Sequence, residues 1–239
     1  MKTERMLQSQ GFGSRKDCRA LIRAGLFSID GVVIDDPFAE IPTTELRFEV
    51  DGESWRYREQ AYLMFHKPAG YECSRKPTFH PSIYTLLPQQ FANRDIQPVG
   101  RLDQDTTGLL LMSDDGQFIH VWSSGKKRIP KEYLVQTSET VSDELIANLL
   151  AGVKLDDEPE LIAAFACSRE GDRMLRLTVT EGKYHQVKRM LVAGGGNVAK
   201  LHRNRVGGLE LPDDLPEGGW RWLEPGDLAR LADLRGVAD

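Results

Sequence analysis

The chain reads as an α+β protein. Three observations predict this. An Asp30-Gly31 pair sits between two β-branched runs, the signature of a two-residue hairpin turn. Apolar runs of strand length recur later, at Tyr62–Phe65 and Leu109–Met112, and Arg173–Thr180 alternates. Between these lie stretches of helical periodicity with recognisable start and stop residues.

The first helix is predicted over Arg15–Ala24. Ser14 followed by Asp17 has the form of a capping box, with Asp in place of Glu. Cys18, Leu21 and Ile22 give an apolar stripe, and Gly25 ends the helix. Arg15, Lys16, Arg19 and Arg23 form a basic face. Leu26–Ile29 and Val32–Ile34 are the arms of the Asp30-Gly31 hairpin. The polar stretch Asp51–Gln60 is read as a linker, so a small module (1–58) is expected ahead of a larger domain (59–239). In that domain Tyr62–Phe65 reads as a strand ending at His66-Lys67-Pro68, and Leu109–Met112 as a buried strand. Asp114-Asp115-Gly116 reads as a turn or helix cap. Glu132–Thr137 is a further strand, and Ser142 caps a helix running to Gly152. In Arg173–Thr180, Leu175, Leu177 and Val179 share one face. The last predicted helix, His185–Ala193, closes at Gly194, with Val187, Met190 and Leu191 as its apolar stripe and His185, Lys188 and Arg189 on a basic face.

Composition narrows the class. Of 239 residues, 40% are hydrophobic, enough for a globular core. No apolar run approaches the roughly 20 residues that span a bilayer, and no secretory signal is expected from the first residues. Cys18, Cys73 and Cys167 are widely spaced and odd in number, which suits reduced thiols in a cytoplasm. The five histidines lack metal-ligand spacing, so no metal is expected. The net charge of -5 hides an asymmetry. Glu181–Arg205 holds six basic residues against a single acid, whereas Val206–Asp239 holds eight acids against three arginines. A local basic patch, rather than the total, sets a phosphate-binding footprint.

Gly100-Arg101-Leu102-Asp103-Gln104-Asp105-Thr106-Thr107-Gly108 runs straight into an apolar strand. Polar residues at the mouth of a buried strand are held rigidly, and a carboxylate there can serve as nucleophile or base. The ordinary alternative is an Asp-rich turn bonded to its own backbone.

This segment resembles the signature of the small-subunit branch of the bacterial rRNA pseudouridine synthases. Lys67-Pro68-Ala69-Gly70-Tyr71, Lys131-Glu132-Tyr133-Leu134-Val135, Glu181–Met190, and Leu201-His202-Arg203 followed by Gly207-Gly208-Leu209 resemble the family's other blocks, in order. The likeness runs from about Tyr62 to Trp222. The first sixty residues resemble the helix-helix-hairpin RNA-binding module of a primary-binding ribosomal protein, without its usual Arg-Leu-Asp-Lys opening at Thr3–Leu7.

The resemblance implies a mixed, mainly antiparallel catalytic sheet and isomerisation of one uridine in 16S rRNA, within an assembling small-subunit particle. The reaction is redox-neutral, so no cofactor is expected. By the same likeness Asp103 is the catalytic carboxylate, Tyr133 the active-site tyrosine, Lys188 the basic partner of Asp103 (with Arg189 as rival), and Leu201 a wall of the uracil pocket. Arg101 fills the place of the extruded base. Lys183, Arg189, Arg203 and Arg205, with Arg15, Lys16, Arg19 and Arg23 of the module, are the expected RNA contacts. From the residues alone Tyr133 and Leu201 could equally pack a core, and Lys188 could be solvated. The competing functions are a large-subunit rRNA synthase, a non-catalytic assembly protein, and a glycosidic-bond hydrolase that would need a second carboxylate such as Asp105. A monomer is expected.

Overall fold

The computed structural model describes residues 1–234. The described chain divides into two compact units. One comprises Met1–Ala61 and Leu87–Ile96; the other comprises Tyr62–Leu86 and the chain from Gln97 onward.

The first unit holds α1 (Thr3–Ser9), α2 (Arg15–Arg23), β1 (Phe27–Ile29), β2 (Val32–Val33), β3 (Arg47–Val50), β4 (Glu53–Arg56) and α3 (Gln89–Asn93). Its sheet has the order β2-β1-β3-β4. The capping box of α2 forms in full: Ser14 Oγ accepts from the Asp17 amide, and the Asp17 carboxylate accepts from the Ser14 amide. Cys18 and Ile22 of α2 are buried with Met6, Leu7, Phe27 and Phe48. The hairpin turn falls where predicted, with Asp30 and Gly31 both at positive φ (49° and 76°) and Ile29 paired to Val32. Such φ values match the twist of the two strands.

The predicted linker at Asp51–Gln60 is instead a second hairpin arm. Asp51 and Gly52 make a turn at φ 53° and 78°, and β4 pairs with β3 from Val50↔Glu53 to Arg47↔Arg56. β4 is an edge strand that leaves its residues largely at the surface, so its sequence carries no apolar alternation. Only Trp55 turns inward, edge-on to Phe12 at 5.2 Å. The helix α3 was not anticipated in this unit. It is tied to the turn after α1 through Asn93 Nδ2, which donates to the Gly11 carbonyl at 2.8 Å.

The second unit holds β5 (Tyr62–Lys67), β6 (Gln97–Pro98), β7 (Thr107–Ser113), α4 (Gly116–Ser123), β8 (Lys131–Thr137), α5 (Asp143–Ala151), β9 (Ala166–Gly171), β10 (Met174–Val179), α6 (Gln186–Gly194), β11 (Val198–Val206), β12 (Leu209–Glu210), β13 (Trp220–Trp222) and α7 (Pro225–Ala232). Nine strands form one sheet, ordered β13-β5-β7-β11-β8-β10-β9, with β12 on β11 and β6 on β7. It is mixed and mainly antiparallel: β7 and β11 run parallel, and the other pairs are antiparallel. Met64, Leu109 and Leu111 of the sheet share a core with Val206, Leu209, Leu223 and Leu231, covered by Phe118 and Trp122 of α4 and Leu228 of α7. Asp115 caps α4, its Oδ1 accepting from the Gln117 amide and its Oδ2 from the Tyr62 hydroxyl. Ser142 caps α5 through the Leu145 amide. Helix α6 ends one residue later than predicted, on Gly195 at φ 96°. Among the described residues no helix is long and apolar enough to cross a membrane.

Candidate active site

The loop carrying Asp103 lies between β6 and β7 and is fixed from beneath by a buried cation. Lys67, the last residue of β5, is 0% exposed. Its Nζ donates to the carbonyls of Pro68 (2.9 Å), Gln104 (3.1 Å) and Thr106 (2.9 Å). A buried ammonium must satisfy its donors, and two carbonyls of the loop together with that of Pro68 do so. Burial lowers the Lys67 pKa, while Cys73, Asp105 and Asp103 pull the other way. The turn closes on itself where the Thr106 amide meets the Asp103 carbonyl at 3.1 Å. Gly108 then sets the loop's exit. It stands at φ 108° opposite Arg203 of β11, and a Cβ there would lie 2.3 Å from the Arg203 carbonyl oxygen. Only glycine allows this approach of β7 to β11.

Helix α6 faces the loop. Lys188 Nζ lies 3.0 Å from Asp103 Oδ2 and 2.6 Å from Asp105 Oδ1. His185, the N-cap of α6, brings Nε2 to 3.2 Å from Asp103 Oδ1. Burial works against the charge on Lys188, but its bonds to Asp105 and Asp103 outweigh this and raise its pKa. Asp105 shows the converse: burial raises its pKa, yet Lys188 holds it below the usual carboxylate value.

Asp103 borders a cavity of about 110 Å³. Tyr133 of β8, Leu201 of β11, Val179 of β10 and Leu102 are apolar or aromatic walls, all at least nine-tenths buried. Two buried basic residues, Lys131 and Arg203, also line it. Lys131 donates to the carbonyls of Ile129 (3.1 Å) and Glu181 (2.9 Å), and burial, with the nearby Arg203, pushes its pKa down to about 8 against the pull of Glu181. Arg203 is 3% exposed and donates Nε to the Leu109 carbonyl at 2.8 Å.

The predicted site residues therefore separate into groups. Asp103, Tyr133, Lys188 and Leu201 converge on one cavity. Arg101 is exposed on its rim. Arg189 does not face Asp103; it pairs with Asp157 and donates to the Tyr184 carbonyl at 3.0 Å. Lys183 pairs with Glu158 at 2.6 Å. Arg203 is turned inward, and Arg205 gives its guanidinium to Glu132, a buried carboxylate that also holds Arg176 at 2.7 Å. In the other unit Arg15, Lys16 and Arg23 are exposed, while Arg19 pairs with Glu4 and lies over the Phe38 ring at 5.1 Å. Sequence reasoning gave no separate role to Lys67 and Lys131. The signal for Lys67 was visible, since it ends an apolar strand where a charge needs a specific partner; Lys131 opens a strand of mixed polarity and carries no such mark. His185, which the sequence offers as a bond to RNA or to its neighbours with no catalytic role, reaches Asp103.

The family model for RNA pseudouridylate synthase matches residues 61–193, which span the loop, β8 and most of α6. A ribosomal small subunit pseudouridine synthase A from Yersinia pestis is 36% identical over 97% of this chain and 98% of its own length. The protein of the same name from Escherichia coli (strain K12) is 34% identical over 97% of this chain and 100% of its own. A crystal structure of a pseudouridylate synthase superposes with a TM-score of 0.68 at 31% identity, covering 97% of this chain and 99% of that one.

Proposed function

The chain belongs to the RNA pseudouridylate synthase family, and on that premise we propose that it isomerises one uridine of 16S rRNA, with Asp103 as the catalytic carboxylate. The enzyme class follows from the family: an isomerase that converts uridine in RNA to pseudouridine. The observation that carries the proposal is the carboxylate of Asp103, held by Lys188 and His185 beside a cavity walled by Tyr133 and Leu201.

The reaction breaks the bond between uracil N1 and ribose C1′ and forms one between C5 and C1′. N1 gains a proton and C5 loses one, so no electrons enter or leave. A uridine inside a helix cannot reach Asp103, so the base must swing out of the RNA and into the cavity. The vacated space is filled by Arg101, whose planar guanidinium stacks on bases and meets phosphate. Asp103 acts on the ribose, either attacking C1′ or removing a proton to give a glycal-like species; both routes free the base. Lys188 holds the carboxylate from one side through a charge-assisted bond. The Tyr133 ring holds the freed uracil while it turns, and after C5 has joined C1′ its hydroxyl relays the C5 proton, releasing its own proton through solvent toward N1 as it accepts one. Asp105 has no independent position across a glycosidic bond, since its carboxylate is tied to the same ammonium as Asp103. That arrangement argues against a paired-carboxylate hydrolase.

The small module supplies backbone contacts through the exposed Arg15, Lys16 and Arg23, which position RNA without reading its sequence. Arg19, Lys183, Arg189, Arg203 and Arg205 orient the elements that carry the RNA-facing groups. The substrate is an assembling small-subunit particle in the cytoplasm, and the enzyme acts as a monomer.

The test is release of tritium from C5-labelled uridine, compared across naked 16S rRNA, small-subunit assembly particles and 23S rRNA. Release from 16S rRNA or its particles, but not from 23S rRNA, is expected. Release from 23S rRNA alone would move the substrate to the large subunit.

A further inference from the structure

We propose that Tyr184 is a stacking platform for an unpaired nucleobase of the substrate RNA next to the target uridine. This rests on the functional reading above. Three observations carry it. Tyr184 is 72% exposed at the entry to α6. Its ring lies on the ring of His185, with centroids 3.8 Å apart and planes 19° apart. His185 in turn reaches Asp103 with Nε2 at 3.2 Å. An aromatic face is thus held at a fixed position, separated from the catalytic carboxylate by one ring, that of His185. With one face covered by His185, the exposure belongs to the opposite face and the edge.

The neighbouring cations explain why a ring, rather than charge, is the free group here. Lys183 and Arg189 flank this segment, but both are taken up by one acidic loop, Lys183 by Glu158 and Arg189 by Asp157. Arg189 also donates to the Tyr184 carbonyl at 3.0 Å, so it fixes the backbone that presents the ring. His185 sits at φ 46°, a left-handed conformation that is uncommon for a residue with a Cβ and that turns the chain into α6 with the two rings aligned. The segment therefore spends its positive charge on its own geometry and offers an aromatic face to the ligand. Every base has a face that stacks on such a ring, so the platform tolerates different sequences. Its effect is to hold a neighbouring nucleotide unstacked from the target, which favours extrusion of the uridine toward Asp103.

The experiment measures binding of a 16S rRNA 5′-domain transcript at several salt concentrations, with tritium release in parallel, for wild type, Tyr184→Ala and Tyr184→Phe. Loss of one stacked base predicts that Tyr184→Ala binds about 5- to 150-fold more weakly. The slope of affinity against salt stays at the wild-type value, because no phosphate contact is lost. Tyr184→Phe binds within about twofold of wild type, since the ring and not the hydroxyl stacks. Tyr184 is exposed, so its replacement leaves the fold intact. Wild-type affinity in Tyr184→Ala, with turnover by wild type in the same assay, overturns the platform alone. A shallower salt slope in Tyr184→Ala also overturns it, by showing that displaced cations caused the loss. Neither binding nor turnover by wild type overturns the functional reading and the platform with it.

Discussion

Lys188 Nζ stands 3.0 Å from Oδ2 of Asp103, although the two residues come from a loop ahead of β7 and a helix far along the chain. The same nitrogen is 2.6 Å from Asp105, so one ammonium serves two carboxylates. Replacing it by methionine keeps the side-chain bulk and leaves two neighbouring acids without their shared cation. Lys188→Met is expected to lower the single-turnover rate on the order of 100-fold, the range of a positioned polar catalytic group. Lys188→Arg recovers part of it, because charge returns in a different geometry. A wild-type rate in Lys188→Met would remove this residue from the mechanism.

Lys131 predicts a pH signature in stability. Burial brings its pKa from 10.5 to about 8. Between those values the unfolded chain holds the Lys131 proton and the folded chain has lost it, so the unfolded state binds more protons and stability rises with pH. Wild type should therefore gain stability from about pH 8 to 10.5 relative to Lys131→Met. Urea unfolding at steps across that window gives the difference. Parallel curves for the two proteins would contradict the assignment.

Gly108→Ala combines a positive φ with a Cβ 2.3 Å from the Arg203 carbonyl oxygen. Both penalties fall on the parallel β7–β11 pair that holds the loop. A loss of about 3 kcal/mol or more is expected, read as a lower denaturation midpoint. A midpoint within experimental scatter of wild type would show that the strands can part cheaply.

The basic face of α2 should divide into two behaviours. Arg15, Lys16 and Arg23 are exposed, whereas Arg19 is held by Glu4 and Phe38. Neutralising any one of the first three should reduce the salt slope of RNA binding by up to about one unit. Arg19→Ala should instead lower the module's stability and leave the slope near wild type. Salt titrations of the four variants check this, and an equal effect at all four would contradict it.

These elements also show what the sequence made legible. The Asp30-Gly31 turn, the caps at Ser14, Asp115 and Ser142, and the convergence of Asp103 with Lys188 depend on local chemistry or on a recognisable motif. The edge strand β4 offers no alternation to detect, because Trp55 alone of its residues turns inward. The long strand β11 was not assigned, because Lys200, His202, Arg203 and Arg205 obscure its apolar positions. The partners of Arg203 and Arg205 within the fold, the Leu109 carbonyl and Glu132, are distant along the chain and so leave no mark in the local sequence. Charge patterning reports that a cation is present, and only the fold decides whether its partner is inside the protein or in the RNA.

The most direct test of the central claim is release of tritium from C5-labelled uridine in 16S rRNA by wild type beside Asp103→Asn, with both proteins verified as folded. Asparagine keeps the shape of the side chain and removes the carboxylate. Wild type is expected to release tritium and Asp103→Asn to release none above background, with RNA binding retained. Release by Asp103→Asn at the wild-type rate would contradict it and assign the chemistry to another residue.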